Sequence, residues 1–150
     1  VIDSASRTRL RELITDATGQ GAEILCGNHW INHRLNPTVL SGVTPETTLY
    51  CEETVGPIVT IEIAQDRQHA IDLANACSGI LSAAVFTSNL DAAMSTANAL
   101  HTAMVHVNDM TIQQEPEVPF GGDAPSGFGR EGMETGIEDF TTWKWVTMRP

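Results

Sequence analysis

Short β-branched runs fenced by prolines alternate along this chain with stretches whose apolar residues recur at helical spacing. Thr38 to Val43 and Ile58 to Ile63 are such runs, bounded by Pro37, Pro45 and Pro57, and β-branched side chains suit a pleated, half-buried backbone. Leu10, Leu13, Ile14 and Ala17 instead recur in steps of three and four ahead of Gly19-Gln20-Gly21. That spacing predicts a helix over residues 4 to 18 ended by a glycine stop. Ala22 to Cys26 reads as a short strand, and Glu46 to Gly56 as an irregular segment. Asp66 can cap a helix striped by Ala70, Ile71, Ala74 and Cys77. The small residues of Leu81 to Thr87 then suit a buried strand. Leu90, Ala93, Met94, Ala97 and Leu100 share one face of the next helix, and Met104 to Val107 is again strand-like. Val118 to Gly132 is a loop rich in Gly and Pro; a short helix over Glu134 to Phe140 and a final strand, Thr142 to Met148, follow it. This alternation predicts a layered α/β architecture with a largely parallel sheet, each helix serving as a crossover. The final strand carries one charge, Lys144, and a terminal edge of that kind invites pairing with another chain.

The 150 residues are 41% apolar and 18% charged, which is the composition of a folded domain with a core. Nineteen acidic side chains against eight basic ones leave a net charge of −11, a field that disfavours nucleic acid and anionic membrane surfaces as partners. No apolar run approaches the ~18 residues of a membrane helix. The opening Val1-Ile2-Asp3-Ser4 lacks an initiator Met and the features of a signal peptide, and reads as a cut inside a longer polypeptide. Cys26, Cys51 and Cys77 are odd in number and share no metal-type spacing with one another, which points to a reducing, cytoplasmic setting.

Gly127-Phe128-Gly129-Arg130-Glu131-Gly132 is a literal GxGxxG. A dinucleotide fingerprint needs a strand before it and an acidic residue about 20 positions on. Here a loop precedes it and the chain is nearly over, so it reads as a tight loop. Cys26, His29 and His33 have C-x2-H-x3-H spacing, but no second ligand pair accompanies them and a polar connecting loop is the plainer reading. Cys77 falls on a helix stripe and belongs to a core. Cys51 lies beside Glu52 and Glu53, whose charge raises a thiol pKa and suppresses the thiolate. Glu52-Glu53-Thr54-Val55-Gly56-Pro57 places paired carboxylates on an irregular segment before a strand; from spacing alone it is a solvated turn.

Several segments are nevertheless in register with one family. Asn36-Pro37-Thr38-Val39-Leu40, Glu52 to Pro57, Ala74-Asn75, Leu81 to Thr87, Val107-Asn108-Asp109, Pro119-Phe120-Gly121-Gly122 and Ser126 to Glu131 together resemble the aldehyde dehydrogenase superfamily. The resemblance covers essentially the whole chain and corresponds to the C-terminal part of such enzymes, downstream of the catalytic cysteine. Residues 1–140 correspond to catalytic domain and residues 141–150 to the oligomerisation strand. Met104 to Asp109, with the long spacer to Pro119, resembles members acting on aromatic aldehydes, such as salicylaldehyde, benzaldehyde and vanillin.

The resemblance implies a mechanism in which a Cys thiolate attacks the aldehyde, hydride passes to NAD or NADP, and a Glu base activates water. The thiolate, the base and the oxyanion Asn would come from the upstream part of the same polypeptide, so this chain alone is expected to be inactive. By resemblance, Glu53 accepts hydrogen bonds from the nicotinamide ribose hydroxyls and Val55 lies beside the cofactor, where the family's usual Phe offers a ring. Phe120 lines the aldehyde channel. The terminal strand extends a neighbouring subunit's sheet in a homo-oligomer. Departures from the family pattern are Val55, Ala124 with Pro125 in place of the usual Lys, and Gly79-Ile80 in place of Tyr-Gly. They keep open a non-catalytic assembly module of the same fold, and a small zinc protein using Cys26, His29 and His33 is a third reading.

Overall fold

A computed structural model describes residues 1–77 and 80–150, except the side chains of Cys51, Ala124, Met133 and Glu134. Gly79, the Cys51 thiol and the Ala124 side chain, all singled out in the sequence, therefore lie outside the described residues. The chain divides into two compact units, Val1–Asp66 and Arg67–Pro150.

The first unit opens with α1 (Ser4–Gly19), capped by the Asp3 carboxylate, which accepts from the Ser6 backbone N–H at 2.7 Å. Its predicted stripe of Leu10, Leu13, Ile14 and Ala17 is buried. The helix packs with β1 (Glu23–Cys26), β4 (Thr38–Ser41) and β5 (Ile58–Ile61), which form one sheet in the order β1-β4-β5. Leu10, Leu13, Ile14, Ala17, Ala22, Leu35, Leu40, Val43 and Leu49 make one apolar cluster, with Leu40 fully buried. A fully buried Leu of this kind contributes about 1.5–3 kcal/mol through the area it removes from water.

The sheet of this unit is mixed. β4 and β5 run parallel, but β1 and β4 are antiparallel, Glu23 facing Ser41 and Ile24 facing Leu40. The reason is the connection: no helix lies between β1 and β4, and a parallel pairing needs a crossover. The polar connecting loop expected around His29 and His33 instead holds an antiparallel hairpin, β2 (Trp30–Ile31) with β3 (Arg34–Leu35). Trp30 is held on α1 between Arg7 and Arg11, one helical turn apart, whose guanidinium carbons lie 5.8 and 5.0 Å from the ring centre. The Glu46 to Gly56 segment is not wholly irregular either. It contains one helical turn, α2 (Thr48–Cys51).

In the second unit, α3 (Arg67–Ala76) is followed by β6 (Ser82–Val85), α4 (Leu90–Ala99) and β7 (Met104–Val107). β6 and β7 pair in parallel, Ser82 with Met104 through Val85 with Val107, so α4 is the crossover helix between them. Asn89 caps it, its Oδ1 accepting from the Ala92 N–H at 3.0 Å. Of the predicted α4 stripe Ala93 is buried, whereas Leu90 and Met94 are exposed. Cys77 lies just past the end of α3 and is half-buried, not a core residue. The Val118 to Gly132 loop contains a single 3-10 turn, Ala124–Ser126, and α5 (Met133–Asp139) follows it.

Residues 142–148 form no strand. Trp143, Trp145 and Met148 are about nine-tenths exposed and the segment has no ladder partner among the described residues. An extended segment becomes a strand only when another strand takes up its N–H and C=O groups.

Candidate functional site

The Glu52 to Pro57 turn is built from both sides. Upstream, Thr44 turns the chain: its carbonyl accepts from the Thr47 N–H at 2.9 Å and from the Thr47 hydroxyl at 2.8 Å, and Thr47 is buried. Asp16 on α1 then accepts from the Thr48 N–H at 2.9 Å and from the Gln20 amide at 2.8 Å. Those bonds, the Thr48 amide first, hold the Asp16 carboxyl below the usual carboxylate range. Downstream, Gly56 lies against the core. A Cβ there would stand 2.5 Å from Leu10 Cδ1 and 3.0 Å from Cδ2, so only glycine lets the turn approach α1 this closely. The Ile58 N–H donates to the Gly56 carbonyl at 2.8 Å and the Thr38 N–H to the Pro57 carbonyl at 2.8 Å, which starts β5 alongside β4.

Between these anchors Val55 has φ +45°, in the left-handed region that a β-branched residue rarely adopts, and its side chain is 72% exposed. Such a conformation costs on the order of 1–3 kcal/mol and persists where the surroundings over-determine it. Arg9 supplies part of that constraint. Its Nη1 donates to the Thr54 carbonyl at 3.1 Å, and its Nη2 to the Glu53 carbonyl at 2.6 Å and to Glu52 Oε2 at 3.1 Å. The Glu53 carboxylate is exposed and, among the described residues, has no hydrogen-bond partner.

Glu53 and Val55 thus sit together on one turn of the first unit. Phe120 belongs to the second. There the Phe120 N–H donates to the Glu131 carbonyl at 2.8 Å and the Glu131 N–H to the Phe120 carbonyl at 2.7 Å, closing the Gly-rich loop as a bridge. Phe120 is half-buried and lines a cavity of about 360 Å³ with Met104, His106 and Val118. The GxGxxG behaves as the tight loop expected of it: Gly127 and Gly129 have φ +112° and +90°, and the 3-10 turn Ala124–Ser126 precedes the motif where a fingerprint has a strand.

Cys26 ends β1 exposed, His29 precedes the hairpin and His33 lies in its turn, and the carbonyls of these two histidines accept from the Asn36 N–H at 3.0 Å and the Val1 amine at 2.8 Å. Among the described residues no group of three His, Cys, Asp or Glu side chains is placed to hold a metal ion. No described helix is long and apolar enough to cross a membrane.

Reading the sequence alone missed Arg9, Asp16 and Gly56's dependence on Leu10. The available signal was helical: Arg9 and Asp16, seven residues apart, lie on one face of α1 beside the buried stripe.

Comparison with known proteins places the whole chain. The model of the aldehyde dehydrogenase family matches residues 1–146. A vanillin dehydrogenase of Pseudomonas fluorescens is 34% identical over 149 residues, covering 99% of this chain and 31% of that protein. A succinate-semialdehyde dehydrogenase [NADP(+)] of Deinococcus radiodurans is 39% identical over 144 residues, 94% of this chain and 30% of that protein. The crystal structure of a salicylaldehyde dehydrogenase from Pseudomonas putida G7, complexed with salicylaldehyde, superposes with a TM-score of 0.93 at 31% identity over 100% of this chain and 31% of its own. The chain therefore spans about 31% of the length of the relatives it matches. Matched by the family model over residues 1–146 and superposed over its full length on a solved relative, this chain belongs to the aldehyde dehydrogenase family.

Proposed function

We propose that this chain is the C-terminal part of the catalytic domain of an NAD(P)-dependent aldehyde dehydrogenase that oxidises an aromatic aldehyde to its carboxylate. The observation that carries the reading is the Glu53 carboxylate, exposed and unpartnered among the described residues on a turn whose backbone is tied down on both sides. An ionised carboxylate only accepts hydrogen bonds, so it suits a ligand that presents adjacent hydroxyl donors, as a nicotinamide ribose does. Val55, exposed beside it, offers a small apolar surface to the same ligand. When bound, the nicotinamide supplies the hydride acceptor.

Phe120 contributes an aromatic wall to an apolar channel, which favours a flat aromatic substrate. That preference also draws on the vanillin and salicylaldehyde dehydrogenases among the similar proteins. The attacking thiolate and the water-activating base are assigned to the upstream part of the same polypeptide, and the 150-residue chain alone is inactive. The protein works in the cytoplasm as a homo-oligomer in which residues 141–150 add a strand to a neighbouring subunit, bringing Trp143 and Trp145 out of water.

Replacing Glu53 by Gln in the longer polypeptide is the test. Gln keeps the shape but loses the charge, and forfeiting a charge-assisted hydrogen bond raises the KM for the cofactor about tenfold. Unchanged cofactor KM and unchanged hydride-transfer rate remove the assignment. Comparing kcat/KM for vanillin, salicylaldehyde and succinic semialdehyde tests the substrate class, and a preference for the semialdehyde overturns it. The second reading, a non-catalytic assembly module, is favoured by Val55 standing where the family has Phe. It predicts that the longer polypeptide reduces no NAD with any of these aldehydes.

A further inference from the structure

We infer that Arg9 is the positioning residue of this site, selecting which of the two adjacent carboxylates is offered to the cofactor; the inference rests on the reading of Glu53 given above. The guanidinium brackets Glu53. It binds the carboxylate of Glu52 on one side, and the carbonyls of Glu53 itself and of Thr54 on the other, at 3.1, 2.6 and 3.1 Å. Three acceptors from three consecutive residues converge on one planar fork, a geometry that Arg supplies and the point charge of Lys does not.

Two consequences follow from the chemistry. Glu52 has its charge compensated by Arg9, whereas Glu53 keeps its oxygens open to an incoming donor. Fixing the carbonyls of residues 53 and 54 also fixes the peptide entering Val55, whose left-handed φ of +45° would otherwise relax. Stabilisation of the fold is not the main effect of the ion pair. The Arg9 and Glu52 side chains are 41% and 53% exposed, and an exposed pair of that kind adds little to stability. What the fork changes is the orientation of the intervening carboxylate, and preorganised orientation is where binding interactions gain most.

A double-mutant cycle in the longer polypeptide tests this, with NAD as the probe. Arg9→Met and Glu53→Gln are made singly and together, and the cofactor KM and kcat are measured beside the melting temperature. Arg9→Met alone is expected to raise the cofactor KM about tenfold, and to change it less than twofold when Glu53 is already Gln. Arg9→Lys, which keeps the charge facing Glu52 but not the fork, is expected to behave like Arg9→Met, and it carries the same cycle if the Met variant does not fold. Equal cost in both backgrounds shows that Arg9 acts independently of Glu53 and overturns the inference. So does full affinity in Arg9→Lys, or a lowered melting temperature with unchanged KM. If Glu53→Gln itself leaves the cofactor KM unchanged, the reading of Glu53 fails first and takes the inference with it. A costly Glu53→Gln beside a silent Arg9→Met refutes the inference alone.

Discussion

Replacing Gly56 by Ala places a methyl group 2.5 Å from Leu10 Cδ1 and 3.0 Å from Cδ2, where ordinary van der Waals contact begins near 3.4 Å. Leu10 must therefore move by about 1 Å, or the turn must lift. Leu10 is 1% exposed and packed within the cluster of Leu13, Ile14, Ala17 and Leu40, so its displacement spreads into well-filled space. Overpacking of this kind costs about 1–3 kcal/mol. For a unit of this size each kcal/mol lowers the melting temperature by roughly 4–8 °C, so about 2 kcal/mol corresponds to a fall on the order of 10 °C. Thermal unfolding of the 150-residue chain followed by circular dichroism reads this directly. Shortening the partner with Leu10→Ala in the same chain should make the Gly56→Ala substitution nearly neutral, because the methyl then enters vacated volume. A Gly56→Ala chain that melts with the parent, or one whose loss is unaffected by Leu10→Ala, refutes the argument that this glycine is there to let the Glu53 turn approach α1.

Two further outcomes are expected from the same turn and its anchors. Val55→Gly should raise stability by about 0.5–1 kcal/mol, since relieving a left-handed β-branched residue gains more than glycine's added chain entropy loses; a lower denaturant midpoint would show that φ +45° is not strained. Asp3 and Asp16 are held below their ordinary values, chiefly by the backbone amides of Ser6 and Thr48 respectively, and Glu46 by the Thr44 hydroxyl. Their native pKa values lie below the unfolded ones, so their contribution is full above about pH 5 and is lost as pH falls through the native values. An acid titration of folding should accordingly be less steep in Asp16→Asn, and an identical acid transition would count against the Asp16 cap of α2.

The local elements were legible in the sequence because their causes are local. The three- and four-residue spacing of Leu10, Leu13, Ile14 and Ala17 predicts a helix within one residue of its observed end, and Met104 to Val107 is a strand in both. A periodicity of 3.6 or 2 is a property of neighbouring residues and survives without any knowledge of the rest of the chain. Residues 142–148 show the limit of the same rule: their strand-like pattern forms no strand in this chain, since a ladder needs a second backbone that no pattern within one segment supplies. The direction of the β1–β4 pair was hidden in the sequence for a related reason. Whether β1 meets β4 parallel or antiparallel depends on the path of residues 27–37, and a two-stranded hairpin of two-residue strands is too short to announce itself by period.

For the candidate site, the paired carboxylates before Gly56-Pro57, the Phe120 loop and the family to which their order belongs are all legible in residue type and spacing. Long-range packing distinguishes Glu53 from Glu52, because that depends on an arginine 43 residues away from Glu52 in the chain, reaching the turn from a different helix. It likewise decided why position 56 is glycine, since the atom a side chain would strike belongs to Leu10, and why Val55 takes a backbone its own side chain disfavours. Residue type and spacing specify what a segment can do alone. Contacts across long loops depend on where packing places two segments at once, and one segment's pattern holds no record of the other's position.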